Sequence, residues 1–328
     1  MKKIIFIISA LIFAIIPFSG CKNGEQTVIE LNEVTHSVFY APLYVAIENG
    51  YFEEENLKVN LTNGGGADKS MTAVLSGSAQ IGLMGPETVI YVKAQNKQDL
   101  PKVFGQLTQK DGAFLVSRNP EPDFEWTNLR GKEILAGRKG GVPAMTFEYI
   151  INQLGMQDGT DLTLNYDVQF NLMTSAFLSG TADYCTVFEP TASEYEKEGK
   201  WHIVASVGAQ GGEIPYTSFI ALDSYIKSNP ETIKSFLKAI KKAHEFIKNN
   251  TEYAVAESIV KQFPSTTINS IETSIKSYKQ INAWKENLQA TKESFDRLMN
   301  IMENAGELPL RVNFDDIVVN TYAKEIFG

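Results

Sequence analysis

Histidine and cysteine are scarce in this chain, three and two in 328 residues. His36, His202 and His244 are too dispersed for a metal-ligand spacing or a Ser/His/Asp order, so neither metal-assisted nor serine-type hydrolysis has its usual residues. No Walker-type phosphate loop occurs, so nucleotide hydrolysis lacks its cradle. Basic residues are in the minority, 30 Lys and Arg against 39 Asp and Glu, for a formal charge of −9. With no cluster of Lys and Arg interleaved with aromatics, a nucleic-acid partner is excluded. Long apolar runs are missing too, except Ile4 to Phe18, which is shorter than the ~20 residues of a membrane span. What is present is an ordinary globular composition, 43% hydrophobic and 21% charged, long enough for about two domains.

The one apolar run follows Lys2 and Lys3 and reads as an export leader, residues 1–20. Phe18-Ser19-Gly20-Cys21 resembles the lipobox of bacterial lipoproteins, with Phe18 where Leu is usual; the resemblance implies cleavage before Cys21 and lipid on Cys21. Only Cys185 then remains, so no intrachain disulfide is possible. Cys185 lies in the apolar run Tyr184 to Phe188 and reads as a small buried core residue. Residues 21–27 form a polar tether.

Beyond the tether the chain alternates. Ile29 and Leu31 predict a strand, Pro42 opens a helix through Leu43, Ala46 and Ile47 that Gly50 stops, and Leu57, Val59 and Leu61 predict the next strand. A helix from about Asp68, carrying Met71, Val74 and Leu75, ends at Gly77 and leads into a strand at Ile81 to Met84. The order then restarts: a strand at Ile134 to Ala136, a helix from Pro143 with Phe147, Ile150, Ile151 and Leu154 on one face, a helix capped by Asn171 with Leu172, Ala176 and Phe177, and a strand at Tyr184 to Phe188. Strand–helix alternation implies mostly parallel sheets buried on both faces.

The segment MTAVLSGSAQIGLMGPET, Met71 to Thr88, is echoed by TSAFLSGTADYCTVFEPT, Thr174 to Thr191. At a constant offset of 103 residues (180 − 77), Leu75 pairs with Leu178, Gly77 with Gly180, Ala79 with Ala182 and Thr88 with Thr191. A single repeat of that size suggests two similar α/β lobes. Ligand crevices in open α/β sheets lie beyond the carboxyl ends of the strands, so the loops around Glu87 and Glu189 are expected to face each other across a cleft. From Pro230 onward the chain reads as helices, with Phe236, Leu237, Ile240 and Ile247 on one face and Phe295, Leu298, Met299 and Met302 on another. The strand Ser218 to Leu222 before them is expected to return the chain to the first lobe.

FYAPLYVAIENGYFEEENLKVNLTNGGGADKSMTAVLSGSAQIGLMGPE, then LRGKEILAGRKGGVPAMTFEYIINQLG and FLSGTADYCTVFEP, together resemble the substrate-binding lipoproteins of ABC importers. The similarity is to the group that takes up thiamine-precursor pyrimidines, riboflavin, sulfonates, taurine and nitrate. It implies an α/β, two-lobed type II periplasmic-binding-protein fold with the ligand cleft between lobes and the helical C-terminal segment packed on lobe 1. Lobe 1 comprises residues 28–110 and 217–328 and lobe 2 residues 111–216, with crossings near Gln106 to Phe114 and Pro215 to Phe219. It further implies a small-molecule ligand, an ABC permease and its ATPase as partners, a lipid anchor at Cys21 on the extracytoplasmic face of the cell membrane, no cofactor, no metal and no catalysis. A monomer is expected.

The candidate ligand residues follow from the loops. Phe39 and Tyr40 stand at a helix start, Gly64, Gly65 and Gly66 follow a strand, and Gly85, Pro86 and Glu87 follow another. From the second lobe come Arg138, Gly140, Gly141, Gln169, Phe170, Phe188 and Glu189, with Tyr216 at the second crossing. Glycines admit close backbone approach and helix starts offer free N–H donors. Two converging carboxylates, Glu87 and Glu189, would repel an anion and suit a donor-rich or cationic ligand, and the aromatics would stack on a flat ring. An aminopyrimidine meets both demands. Arg138 beside a helix start argues instead for a sulfonate, taurine or nitrate-type anion, and both readings stay open. A relative in the group forms pyrimidine from its own histidine, so a pyrimidine-forming enzyme is a further alternative, as is a ligand sensor. His36, at the end of the first strand, is the histidine nearest the expected cleft.

Overall fold

A computed structural model describes residues 26–328. The expected leader and the expected lipidation site, Cys21, lie outside the described residues.

Among the described residues, ten strands form two five-stranded mixed sheets. The first holds β1 (Thr27–Glu33), β2 (Leu57–Asn63), β3 (Ile81–Met84), β4 (Pro101–Thr108) and, from far along the chain, β10 (Thr217–Leu222). The second holds β5 (Ala113–Ser117), β6 (Glu133–Leu135), β7 (Thr163–Asn165), β8 (Tyr184–Phe188) and β9 (His202–Ser206). Their orders are β2-β1-β3-β10-β4 and β7-β6-β8-β5-β9. In each, three parallel strands are followed by one reversed strand, β10 between β3 and β4, or β5 between β8 and β9.

The reversed strand is in each case the first strand after the chain crosses from the other sheet. The chain leaves β4 at Thr108 and enters β5 at Ala113; it leaves β9 at Ser206 and enters β10 at Thr217. The two connections run side by side, Ile214 N–H donating to Gln109 O at 3.0 Å and Tyr216 N–H to Thr108 O at 3.2 Å.

Local chemistry explains the elements between. Ile29 and Leu31 are fully buried because helices cover β1. Pro42 sits in the first turn of the helix Ala41–Glu48, where its missing N–H costs nothing. Gly77 ends the helix Ala67–Ser76 at φ +76°, a left-handed cap that glycine adopts without strain. Three expected core positions lie outside: Leu75 on the helix Ala67–Ser76 is 37% exposed, Leu154, 36% exposed, caps a helix that stops at Gln153, and Leu172, 52% exposed, closes a 3-10 turn before the helix Met173–Ser179. Asn171 lies inside that turn and does not cap the helix. Cys185 is fully buried, and burial pushes its thiol pKa up.

The helical tail begins with Pro230–Asn249, whose Phe236 packs against Phe52, Phe104 and Phe219 of the first sheet and its cover. Later tail helices reach further than that sheet. Tyr278 on the helix Ile268–Gln280 accepts from Glu189 N–H at 3.0 Å, and Asn304 at the end of Lys292–Asn304 accepts from Asn152 at 2.8 Å. The tail therefore touches both halves, because those helices run past the crossing connections rather than staying behind β4.

Candidate ligand site

A cleft partly open to solvent lies between the two sheets at the carboxyl ends of their parallel strands. Residues just past β1 (Val34, Thr35, Tyr40) and β3 (Gly85, Glu87) form one wall with Gly66 and Ala67. Arg138, Gly141, Val142, Pro143, Phe170 and Phe188 form the other, and Tyr216 and Thr217 from the second crossing close the floor.

Glu87 is the first residue of the helix Glu87–Ala94 and is 2% exposed. Its carboxylate folds back over Gly85, where an added Cβ would stand 2.0 Å from Oε2, so a side chain there would displace the carboxylate. Oε2 itself has no hydrogen-bond partner. Burial raises the Glu87 pKa to about 7, although its own and neighbouring backbone N–H groups and the charge of Arg138 pull the other way. At neutral pH this carboxyl thus serves in either protonation state. Arg138 is a rim residue, 41% exposed at its side chain, with Asp68 at 4.0 Å.

Aromatic rings make the apolar part. Phe39 does not line the cleft; it is the fully buried hub behind it, 5.5 Å from Tyr40, 5.8 Å from Phe188, 5.8 Å from Tyr216 and 4.9 Å from Tyr278 between ring centroids. Phe170 stands edge-on to Phe188 at 5.8 Å. The Tyr40 and Tyr216 hydroxyls are both pushed to higher pKa by burial, so both stay neutral donors or acceptors.

Of the residues named from sequence, Tyr40, Gly66, Gly85, Glu87, Arg138, Gly141, Phe170, Phe188 and Tyr216 come together on the cleft. Gly64, Gly65, Pro86, Gly140 and Gln169 lie in its supporting loops; Gly140 O accepts from Tyr91 of the opposite wall at 2.9 Å. Glu189 is elsewhere. Its carboxylate accepts from Ser193 N–H at 3.0 Å, Ser193 Oγ at 2.6 Å and Ser277 Oγ at 3.3 Å, and it borders a neighbouring cavity with Thr35, His36 and Ser37. The repeat explains the asymmetry. At the offset of 103, Glu189 corresponds to Pro86, not Glu87 (189 − 103 = 86). Glu189 thus precedes its proline and bonds its own helix start, whereas Glu87 follows Pro86 and turns to the cleft.

Val34, Thr35, Ala67, Val142, Pro143 and Thr217 join the lining without having been singled out in the sequence. Val34 and Thr35 had a signal, since they directly follow β1. Asp111 had none. Fully buried in the first crossing, it accepts from Ala113 N–H at 2.7 Å, and its Oδ2 is unpartnered beside the equally unpartnered Tyr216 hydroxyl.

His36 is held outside the cleft by Glu33 at 2.6 Å and Gln262 O at 2.8 Å. His244 is buried on Pro230–Asn249, its pKa lowered by burial to about 4, and His202 opens β9.

Two crossed α/β halves with a cleft between them define the class: the fold is that of periplasmic binding proteins. The alkanesulfonate-binding protein SsuA from Xanthomonas axonopodis pv. citri, solved with bound MOPS, superposes with a TM-score of 0.71 at 14% identity, covering 91% of this chain and all of that one. The nitrate-binding protein NrtA from Synechocystis PCC 6803 does so with a TM-score of 0.72 at 15% identity, covering 92% and 88%. Within that class, residues 38–254 match the family described as "NMT1/THI5 like", and the chain belongs to it. The chain is 41% identical over 316 residues to the "Putative binding protein YtlA" of Bacillus subtilis (strain 168), covering 96% of this chain and 95% of that one. It is 26% identical over 250 residues to the 4-amino-5-hydroxymethyl-2-methylpyrimidine phosphate synthase of Aspergillus parasiticus, 70% of each chain.

Proposed function

We propose that this chain is the extracytoplasmic solute-binding lipoprotein of an ABC importer and that its ligand is a small planar heterocycle of the aminopyrimidine class. The observation that carries the ligand is the buried, unpartnered Glu87 Oε2 in an aromatic-walled cleft. A buried acceptor without a partner costs about 1–3 kcal/mol, which a ligand donor recovers. The complementarity is specific. A protonated Glu87 donates to a ring nitrogen and accepts from the adjacent amino group; an ionised Glu87 makes the same two contacts with a protonated pyrimidine. Phe170, Phe188, Tyr40 and Tyr216 supply faces and edges for the ring. The relative named as a binding protein supports the transport reading, and the relatives named for a pyrimidine product support the ligand class.

Residues 28–110 with 217–328 act as one lobe and 111–216 as the other. Contacts made by both lobes exist only when they close, so ligand shifts the equilibrium toward the closed form, and a permease with its ATPase receives it. Tyr91 to Gly140, and Ser37 Oγ donating to Glu189 O at 2.8 Å, are the latch. Cys21 carries the lipid that keeps the monomer at the membrane.

The second reading is an anion binder, favoured by Arg138 on the rim and by the sulfonate and nitrate ligands named for the similar structures. A pyrimidine-forming enzyme is less favoured because His36, His202 and His244 all lie off the cleft. A sensor would use the same cleft and differ in its membrane partner. Thermal-shift screening and calorimetry with aminopyrimidines, thiamine, riboflavin, sulfonates, taurine and nitrate decide between ligands. A ligand at a hundredfold excess over its Kd adds about 2.7 kcal/mol of stability. Aminopyrimidine binding abolished by Glu87→Leu supports the proposal; binding only of anions, strengthened by Glu87→Leu, overturns it.

A further inference from the structure

A chain of hydrogen bonds runs behind the wall of the cleft and ends on the opposite half of the molecule. Both ring nitrogens of His36 are bonded, Nδ1 to Glu33 Oε1 at 2.6 Å and Nε2 to the main-chain carbonyl of Gln262, on the tail, at 2.8 Å. A carboxylate and a carbonyl are both acceptors, whereas a neutral imidazole carries a single N–H. The geometry therefore requires one proton more than an ionised Glu33 beside a neutral ring supplies. The second Glu33 oxygen accepts from the Tyr44 hydroxyl at 2.7 Å, and that hydroxyl accepts from Ser37 N–H at 3.2 Å. Ser37 Oγ accepts from Phe39 N–H at 3.2 Å, at the start of the turn Val38–Tyr40 that brings Tyr40 to the cleft, and donates to Glu189 O, just past β8, at 2.8 Å. The titratable groups around His36 are Glu33, Tyr44 on the helix Ala41–Glu48 and, across the cavity that His36 borders, Glu189, whose N–H is held by Tyr278. Glu48 lies one bond further, accepting from Gln262 Nε2 at 2.5 Å, and Lys261 beside Gln262 is exposed. Among the described residues no lysine or arginine pairs with Glu33, so His36 is the cation bonded to that buried carboxylate. The His36 side chain is 31% exposed and can exchange its proton with solvent.

Resting on the latch described above, we infer that His36 and Glu33 form a proton-operated switch for lobe closure. With the proton in place, residues 35–37 are fixed where Ser37 bonds Glu189 O. Without it, a ring lone pair faces the carboxylate or the carbonyl, the segment shifts, and the latch is released. Closure and proton uptake favour the same arrangement of the segment, so by linkage each promotes the other. Burial works to lower the His36 pKa, but the bond and charge of Glu33 and the Gln262 carbonyl hold it above 6.5. The closed form is therefore favoured below pH 6.5 and gives way as pH rises through the raised value. Tyr44 stays protonated throughout, because burial pushes its hydroxyl well above the usual range. Thr35 borders both the cleft and the cavity beside Glu189, so a shift of the segment also reaches the ligand. Capture is stronger in acidic surroundings.

The test reads closure in the ligand-free protein. Small-angle X-ray scattering gives the radius of gyration of wild type, His36→Gln and Ser37→Ala from about pH 5.5 to about pH 9, a range that brackets the imidazole. Wild type is expected to be compact at the acidic end and to expand as pH rises, its closed-to-open ratio falling about two- to tenfold, as the loss of one hydrogen bond implies. Glu87 titrates in the same range, so the difference between wild type and His36→Gln carries the inference. His36→Gln should have the expanded size at every pH, and Ser37→Ala should lose the response as well. In calorimetry with 4-aminopyrimidine, Kd should rise over the same range by about two- to tenfold more in wild type than in His36→Gln. A response that His36→Gln reproduces overturns the inference, and so does a wild type of constant size. If His36→Gln fails to fold, Ser37→Ala decides, a retained response overturning the inference. If 4-aminopyrimidine does not bind, the ligand class falls and the ligand-free series still decides the switch. Wild type of one size with and without bound 4-aminopyrimidine overturns the closure reading and this inference together, whereas compaction by 4-aminopyrimidine without a pH response overturns this inference alone.

Discussion

The Trp284 indole N–H donates to the main-chain carbonyl of Phe39 across 2.8 Å, so a loop of the helical tail holds the hub of the cleft's aromatic wall. Both groups are buried. Trp284→Phe keeps a ring but strands the carbonyl, and a buried acceptor left alone costs about 1–3 kcal/mol. Urea unfolding should show that loss, and calorimetry a weaker ligand affinity, because Phe39 sets the position of Tyr40 and Tyr216. Full retention of affinity would mean that the wall holds itself.

Glu189 should be a stability residue. Its carboxylate takes the Ser193 N–H and Oγ at the start of the helix Thr191–Lys197 and bonds Ser277 on the tail. Glu189→Ala is expected to cost about 2 kcal/mol in unfolding free energy of the empty protein and to change the Kd of a bound pyrimidine little. A large loss of affinity at unchanged stability would return Glu189 to the ligand.

Glu87 should make the empty protein less stable at high pH. Its pKa is raised to about 7 in the fold from an ordinary 4.5, so the fold binds more protons than the unfolded chain between those values. The resulting stability is present below about pH 4.5 and lost as pH rises through about 7. At pH 8 Glu87→Leu should therefore be more stable than wild type, by up to about 3 kcal/mol, with the difference shrinking toward pH 5. Melting curves of both proteins across that range check it. Equal curves at all pH values would mean that water solvates the carboxylate.

His36 works in the same direction from the other charge type. Burial alone would lower its pKa, but the hydrogen bond and charge of Glu33 and the carbonyl of Gln262 more than offset this, and the pKa is raised above 6.5. Its contribution is full below pH 6.5 and disappears as pH rises through the raised value. Wild type should lose stability relative to His36→Gln over that rise. Comparing the two slopes in chemical unfolding isolates the ion pair, and a pH-independent difference would show that the imidazole stays neutral.

The elements that carry strong periodicity were legible. Ile29 and Leu31, the run Ile81 to Met84, the run Tyr184 to Phe188 and the Pro230 helix all lie in elements of the expected type, because burial on one or two faces writes itself into apolar spacing. The strands β4 and β5 were legible only as a crossing, since PKVFGQLTQKDGAFLVS reads as one apolar stretch with a polar interruption. Leu172 went astray because a short 3-10 turn shares its spacing with a helix start. Among the ligand candidates, the loop residues Tyr40, Gly85, Glu87, Phe170 and Phe188 could be found from strand ends. Asp111 could not, because a single aspartate after Gln109-Lys110 looks like any solvated turn.

Sequence alone determined that two similar α/β halves are present, that their strand ends carry glycines, aromatics and glutamates, and that histidines and cysteines are few. Those are properties of local spacing and composition. Only the tertiary structure decided which glutamate faces the cleft. Glu87 and Glu189 sit in matching loops, but one follows its proline and the other precedes it, and that single step turns one carboxylate into the cavity and the other onto Ser193 and Ser277. The meeting of the two crossings was likewise decided in space, because Ile214 and Tyr216 bond Gln109 and Thr108 only when both sheets have formed.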